Sequence, residues 1–308
     1  MIQSVLTTLF DVIVPLSIPV SVGAILFRFK QLEINPLLTL VLYFLTPCLI
    51  FQTLLTAQIS FEDVNKTLSF CLLNLLLLWF AATFLGRMLK LPAPEVAGLT
   101  LISTLTNSVN YGLPLVLLAF GKQGLDKASV FVILQMILVN TFGVYFAARS
   151  SFSIGNAIKS VFSLPAIYAA LIAVLLRTFN LHLPEGLETG FAMVAQAYSP
   201  IVLTVLGAQM ANAQSANLSQ EAAMAFRFGM ILRMFLAPLL AYFGLYFLDI
   251  EGILFSVFLI LSSMPVAVNA VILAEKFNAS ANVVSRCILW TTLLSFITLT
   301  ILIALVKL

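Results

Sequence analysis

Residues 106–114 read TNSVNYGLP and interrupt an otherwise apolar segment that runs from Glu95 to Phe120. A second apolar segment, from Gly252 to Lys276, is interrupted in the same way by Met264-Pro265. Proline inside a helix removes one backbone hydrogen bond and clashes with the carbonyl group one turn earlier. We therefore predict two broken helices whose interruptions face each other, with the rest of the chain holding them in place.

The composition places these broken helices in a membrane. Of the 308 residues, 62% are hydrophobic and only 9% are charged, whereas a soluble domain carries roughly 25% charged residues. Lipid does not tolerate unpaired backbone amides, and long continuous apolar runs favour helices over a closed barrel. The predicted fold class is an all-α membrane protein. Its net charge of +3 comes from scattered basic residues, which form no clustered surface for nucleic acid.

Ten apolar runs are long enough to cross a bilayer as helices. Lysine and arginine are concentrated in the connections that follow odd-numbered runs, so these connections are predicted to be cytoplasmic. We expect a multi-pass protein of the plasma membrane with both termini outside. The predicted spans are 4–27, 36–57, 66–89, 95–120, 128–148, 161–180, 187–211, 223–248, 252–276 and 282–306.

The order of the spans predicts an internal repeat. Five spans lie on each side of the 149–160 connection, which divides the chain into repeats 1–150 and 151–308. Because five is odd, the second repeat is inverted in the membrane relative to the first. Spans 2 and 7 correspond and contain Thr46-Pro47 and Ser199-Pro200, while the two broken spans, 4 and 9, also correspond. Such matched breaks are typical of inverted-repeat transporters.

The polar residues of the two interruptions predict a binding site for a small anion. We expect helix 4 to unwind over residues 106–113, and unwound backbone at membrane depth requires surrounding protein or a water-filled cavity. Asn107 and Asn110 offer amide donors, and a half-helix beginning near Pro114 would present unpaired N–H groups and a positive dipole end. The other predicted ligand-contacting residues in the two interruptions are Ser108, Gly112, Ser262, Ser263 and Asn269.

Other interpretations of these residues remain open. A single proline commonly makes a simple kink, with Asn side chains bonding neighbouring helices, and only the matched pair of breaks favours a site. Asp11 could contact an outer vestibule or a cation, or it could cap or pair locally. Arg233 could neutralise an anion or a helix end. The sequence contains no phosphate-binding loop, metal-ligand cluster or catalytic arrangement, so we predict no enzyme, cofactor or metal site.

At these residues the sequence resembles the auxin efflux carrier family. The resemblance lies in Asn107 with Gly112-Leu113-Pro114, in Met264-Pro265 with AEKFN at residues 274–278, and in residues 285–298. The resemblance implies a homodimer with the fold of bile-acid symporters and sodium/proton antiporters. Helices 1, 2, 6 and 7 would form a scaffold, and helices 3–5 and 8–10 a mobile core. It further implies that Asn107 binds a carboxylate, that Pro114 and Pro265 are the crossing prolines, and that scaffold residues at Thr46 and Pro47 complete the pocket.

Two features differ from the plant members of that family. The connection between helices 5 and 6 spans only residues 149–160, and helix 3 carries Asn74 where plant carriers have a charged pair. We therefore expect a short-loop carrier of a small organic anion, a mono- or dicarboxylate, working by elevator-type alternating access. Membrane potential and the substrate gradient would drive it. A sodium- or proton-coupled symporter and a non-transporting ligand-binding receptor are the alternatives.

Overall fold

A computed structural model describes residues 2–57, 59–138, 141, 159, 162–212 and 218–307. Over these ranges the chain is helical, with one isolated antiparallel bridge and no named strand. Six of the described helices are long and apolar enough to cross a membrane. The predicted all-helical fold is therefore confirmed, and these six helices have the length and composition that crossing a membrane requires.

The helices are numbered along the chain. Predicted spans 4 and 9 are each divided between two helical pieces. The junction of the two predicted repeats and much of the connection around it lie outside the described residues, so the ten-span inverted repeat stays a prediction. The helices are α1 (Gln3–Lys30), α2 (Ile34–Thr56), α3 (Phe61–Met88), α4 (Ala93–Thr104), α5 (Leu113–Leu138), α6 (Pro165–Thr178), α7 (Glu185–Asn212), α8 (Gln220–Phe247), α9 (Gly252–Ser262), α10 (Ala270–Lys276) and α11 (Ala281–Val306).

Prolines shape several of these helices without ending them. In each case a five-residue π-helical turn stops two residues before a proline, and the residue between them donates its amide to the carbonyl five residues earlier. A π-turn adds one residue to the helical circuit, which relieves the contact between the proline ring and the preceding turn. These turns are Leu9–Ile13 before Pro15, Val41–Leu45 before Pro47, Ser108–Gly112 before Pro114, and Leu232–Leu236 before Pro238.

A glycine separates the fourth predicted span from the fifth. Gly121 lies inside α5 with a φ of 64°, a left-handed conformation that glycine adopts without steric strain. The chain changes direction at this point, so α5 consists of one helical segment before Gly121 and one after it. The first segment belongs to predicted span 4 and the second to predicted span 5.

Helices α1 and α7 approach each other at two glycines, and this is the closest approach of a glycine to the backbone of another helix in the described chain. A methyl group added at Gly23 of α1 would lie 1.8 Å from the carbonyl oxygen of Thr204 on α7, and one added at Gly207 would lie 1.8 Å from that of Val20. Small residues allow helix backbones to approach in this way. Because α2 packs on both α6 and α7, these four helices form one bundle, and its role as a stationary scaffold stays a prediction.

The remaining helices pack around the two interruptions. Helix α3 contacts α4, α5 and α8, while α9 contacts α5 and α8, and α11 contacts α4, α8 and α10. Phe258 of α9 joins three of these elements, because its ring centroid lies 5.5 Å from that of Phe70 on α3 and 5.3 Å from that of Phe131 on α5. Aromatic pairs of this kind contribute about 0.5–1.5 kcal/mol beyond their buried area.

Candidate functional site

The two interruptions pair with each other through their backbones. The amide of Asn107 donates to the carbonyl of Pro265 over 2.9 Å. The amide of Ala267 donates to the carbonyl of Leu105 over the same distance. The non-helical residues of each interruption thus supply hydrogen-bond partners for the backbone of the other. Lipid offers no such partners. The prediction that the two interruptions face each other is confirmed.

The first interruption is shorter than predicted, and the unwinding over residues 106–113 is wrong in its extent. The helix resumes at Ser108 as a π-turn, and the amides of Tyr111 and Gly112 both donate to the carbonyl of Asn107, over 3.2 and 3.0 Å. Pro114 lies six residues inside this resumed helix because the wider turn accommodates its ring. The helix end that faces the site therefore lies at Ser108 rather than near Pro114.

An asparagine stands immediately before the second half of each broken helix. Asn107 precedes the helix that begins at Ser108, and Asn269 precedes α10, and neither side chain caps its own helix. Asn107 is 3% exposed and its side-chain Nδ2 has no hydrogen-bond partner, whereas Asn269 is exposed. Because α10 has only seven residues, we assign the positive helix end at the site to the helix beginning at Ser108 alone.

A cavity of about 330 Å³ lies beside the paired interruptions. Asn107, Asn110 and Asn269 line one side, Gln135 of α5 reaches it as well, and Thr46 of α2 lies on the wall that the four-helix bundle supplies. The side chain of Asn110 is buried, and its Oδ1 has no hydrogen-bond partner. The rest of the wall is mainly apolar, and no lysine, arginine, aspartate or glutamate of the described ranges lines it.

Only some of the predicted ligand-contacting residues reach the cavity wall. Asn107, Asn110, Asn269 and Thr46 do so. The serine hydroxyls instead support the interruptions: Ser108 Oγ donates to the Leu261 carbonyl over 3.1 Å, Ser263 Oγ donates to the Leu259 carbonyl over 2.6 Å, and Ser262 Oγ accepts from Asn74 Nδ2 over 3.4 Å. The predicted residues that do not line the cavity are Ser108, Gly112, Pro114, Ser262, Ser263, Pro265 and Pro47.

Gln135 is a cavity-lining residue that was not predicted from the sequence. Its Nε2 donates to Thr106 Oγ1, which shares a 2.6 Å hydrogen bond with Ser108 Oγ. The amide thus ties α5 to the first interruption at the edge of the cavity. A signal existed in the sequence, because Gln135 is a single polar residue within the apolar run 130–138, and such residues in membrane helices face the protein interior.

Arg233 lies fully buried behind the interruptions, in the π-turn of α8. Its Nε donates to the Met264 carbonyl over 2.8 Å, its Nη1 donates to the Ser103 carbonyl over 2.7 Å, and its Nη2 donates to the Ser262 carbonyl. These carbonyls lie at the C-terminal ends of α4 and α9 or, for Met264, two residues beyond α9, where helical partners are missing and the dipole is negative. Of the roles considered for Arg233, neutralising a helix end is the one its contacts match. Asp11 is exposed on α1 and lines a separate depression.

The two broken helices meet inside a bundle of long apolar helices, beside a cavity with a polar patch formed by Asn107, Asn110 and Asn269. This arrangement defines an integral membrane protein of the discontinuous-helix class. Residues 27–161 and 150–303 match the family model described as membrane transport protein. The chain belongs to this family, whose members are auxin efflux carrier-like. Each matched segment contains one of the two interruptions, and the resemblance drawn from the sequence is confirmed.

Two relatives support this assignment. An uncharacterized transporter of Methanothermobacter thermautotrophicus is 27% identical over 259 residues, which is 82% of this chain and 82% of the relative. An uncharacterized transporter of Methanocaldococcus jannaschii is 24% identical over 286 residues, which is 87% of this chain and 88% of the relative. Both names describe transporters, and neither names a substrate.

Proposed function

We propose that this protein is a carrier that moves a small organic anion, a carboxylate with an apolar body, through the cavity beside the interruptions. The observation that carries the proposal concerns Asn107, which stands at the start of a helix and lines the cavity, and whose buried Nδ2 has no hydrogen-bond partner. A buried donor without a partner is destabilising by about 1–3 kcal/mol. An acceptor group on a ligand would remove that penalty.

The composition of the wall narrows the class of substrate. The first turn of the helix at Ser108 presents N–H groups and a positive dipole end, which favour an anionic group beside Asn107. Beyond the polar patch the wall is formed largely by side chains such as Tyr43, Val109, Met136 and Ile272. A second carboxylate there would lose its hydration without gaining a partner. These features favour a monocarboxylate over a dicarboxylate.

The proposed driving forces are the membrane potential and the substrate gradient. Moving one charge through 100 mV corresponds to about 2.3 kcal/mol, enough to bias export of an anion from a negative interior roughly fiftyfold. We also propose that the protein is a homodimer in the plasma membrane with both termini outside. The family resemblance supports the homodimer, and the distribution of basic residues supports the orientation.

The decisive experiment compares wild-type protein with Asn107→Ala. We expect a thermal-shift screen of purified protein to identify stabilising monocarboxylates, and saturable flux of a hit in proteoliposomes. Loss of a hydrogen bond to a charged group reduces the binding free energy by about 1.5–3 kcal/mol. Asn107→Ala should therefore weaken binding roughly 10- to 100-fold and reduce flux at low substrate concentration by a similar factor. Asn65→Ala, at an exposed position on α3, is the control. Unchanged saturable flux in Asn107→Ala would contradict the proposal.

Elevator-type movement would slide the helices that carry the interruptions against α1, α2, α6 and α7. The cavity lies between these two groups, since Thr46 and the start of α6 form one wall and the interruptions form the other. Tyr198 of α7 also bridges the groups, because its hydroxyl donates to the Val109 carbonyl over 2.9 Å. In this proposal the bond is broken and remade in each cycle.

Tyr198→Phe is therefore expected to alter the transport rate more than the affinity. Removing a hydrogen bond of about 1 kcal/mol that exists in one state shifts the balance of states roughly fivefold. Counterflow rates and equilibrium binding of the same substrate would measure the two effects separately. Tyr168→Phe is a matched control, because the Tyr168 hydroxyl donates over 2.8 Å to the Phe162 carbonyl at an exposed position of α6. Equal rates in both variants would mean that the bond does not break during transport.

A further inference from the structure

The carbonyl groups held by Arg233 are of the kind that binds a cation in other carriers. The C-terminal ends of discontinuous helices carry partial negative charge and coordinate sodium or protons in secondary transporters. Here the guanidinium contacts three such oxygens, those of Ser103, Ser262 and Met264. The three contacts span both broken helices, so a single side chain neutralises both ends.

The positive charge of Arg233 has carbonyl oxygens as its partners rather than a carboxylate. The salt bridges Lys66–Glu62 and Lys127–Asp63 do not involve α8, and the described hydrogen bonds of the Arg233 side chain go to backbone oxygens. A buried guanidinium is strongly unfavourable unless hydrogen bonds and opposite charge compensate it. The two helix ends supply that compensation, and the helix ends and Arg233 therefore depend on each other.

Arg233 is also connected to the cavity through the paired interruptions. It binds the carbonyl of Met264, and the carbonyl of the next residue, Pro265, accepts the amide of Asn107 over 2.9 Å. Arg233 itself does not line the cavity. It is placed to fix the position of Asn107 without touching a ligand.

We propose that Arg233 is a resident cation that takes the place of a coupling ion. It holds the ends of α4 and α9 together, keeps Asn107 in place at the cavity wall, and leaves the carrier independent of sodium and of the proton gradient. The inference rests on the proposed function, because coupling has meaning only for a carrier. Arg233 acts in it as a positioning residue.

The test compares the thermal stability of purified variants in equal concentrations of sodium, choline or dilute guanidinium chloride. Wild-type protein is expected to unfold at the same temperature in all three salts. Arg233→Ala should unfold at a Tm lower by about 10 °C in choline, and guanidinium or sodium should restore part of the difference. Arg233→Lys keeps a cation but not the planar fork, so its Tm should be intermediate and insensitive to the salt.

Arg227→Ala, at an exposed position of the same helix, controls for loss of a positive charge from α8. An Arg233→Ala protein that is recovered in none of the salts, or is equally stable in all of them, would overturn the inference. So would wild-type flux that stops when choline replaces sodium or when the proton gradient is collapsed. Absence of flux in every condition, with the expected stability pattern, would instead contradict the proposed function.

Discussion

Gly207→Val is expected to prevent recovery of folded protein. A methyl group at this position would lie 1.8 Å from the Val20 carbonyl oxygen and 2.7 Å from its carbon, and both atoms belong to the backbone of α1. Rotation of a side chain therefore cannot relieve the clash. The two helices would have to separate along a contact in which Gly23 and Gly207 both permit close approach.

The expected size of this effect exceeds that of ordinary overpacking. Extra methyl groups in a core usually destabilise by about 1–3 kcal/mol because side chains can shift, while a backbone clash between two long helices leaves no such adjustment. We expect more than about 4 kcal/mol, in the exceptional range for single substitutions. Fluorescence-detected size-exclusion chromatography of solubilised membranes should show loss of the monodisperse peak for Gly207→Val and for Gly23→Val.

Gly190→Val on the same helix provides the matched control. Nothing lies within 4 Å of a methyl group added at Gly190, so this variant should elute and unfold as the wild type does, within about 2 °C. Because Gly23 and Gly207 belong to one contact, the double variant should be little worse than either single variant. A Gly207→Val protein with wild-type elution and Tm would show that α1 and α7 do not pack as described.

The helical class of the protein could be predicted from the sequence because it depends on local properties. Long apolar runs in lipid have few alternatives to helices, and the extents of α3, α7, α8 and α11 agree with the predicted spans within a few residues. Helix interruptions were harder to place. Pro114 indicated a break, but because of the π-turn before it the non-helical residues are 105–107, which the proline alone could not show.

Contacts between distant residues could not be predicted in this way. Gly23 and Gly207 are two of 14 glycines, and only the packing of α1 on α7 distinguishes them from exposed glycines such as Gly190. Arg233 was identifiable as a charge deep in a membrane helix. Its partners Ser103 and Ser262 lie 130 and 29 residues away, however, and they are backbone oxygens, which leave no signature in side-chain chemistry.

The site residues also divide into those that local sequence properties predict and those that depend on contacts between distant helices. Asn107, Asn110 and Asn269, which were predicted from residue type and position, line the cavity, whereas the equally polar Ser108, Ser262 and Ser263 form hydrogen bonds that support the interruptions. Thr46 lines the cavity and Pro47 does not, although both were predicted. Neighbouring residues on a helix point in different directions, and the rotation of α2 that selects between them depends on its packing against α6 and α7.

Asn107→Asp is expected to abolish anion flux and to weaken binding at least a hundredfold. The substitution keeps the size of the side chain and replaces its unpaired Nδ2 donor with an oxygen that carries negative charge. Two like charges about 4 Å apart repel by about 4 kcal/mol at the effective dielectric constant of a partly shielded site. Flux and binding in proteoliposomes should therefore fall below those of Asn107→Ala, and lower pH should restore part of the loss as the carboxyl group becomes neutral.

The same substitution distinguishes a carrier that binds an anion through uncharged side chains from a carrier that couples transport to a cation. In a sodium-coupled symporter a carboxylate beside the interruptions would supply a preferred cation ligand, so Asn107→Asp would retain flux and become more dependent on sodium. Asn269→Asp is the graded control, because Asn269 lines the same cavity but is exposed and its charge would be screened by water. It should reduce anion binding less than Asn107→Asp does. Equal losses at both positions would mean that the anion does not approach Asn107 more closely than Asn269.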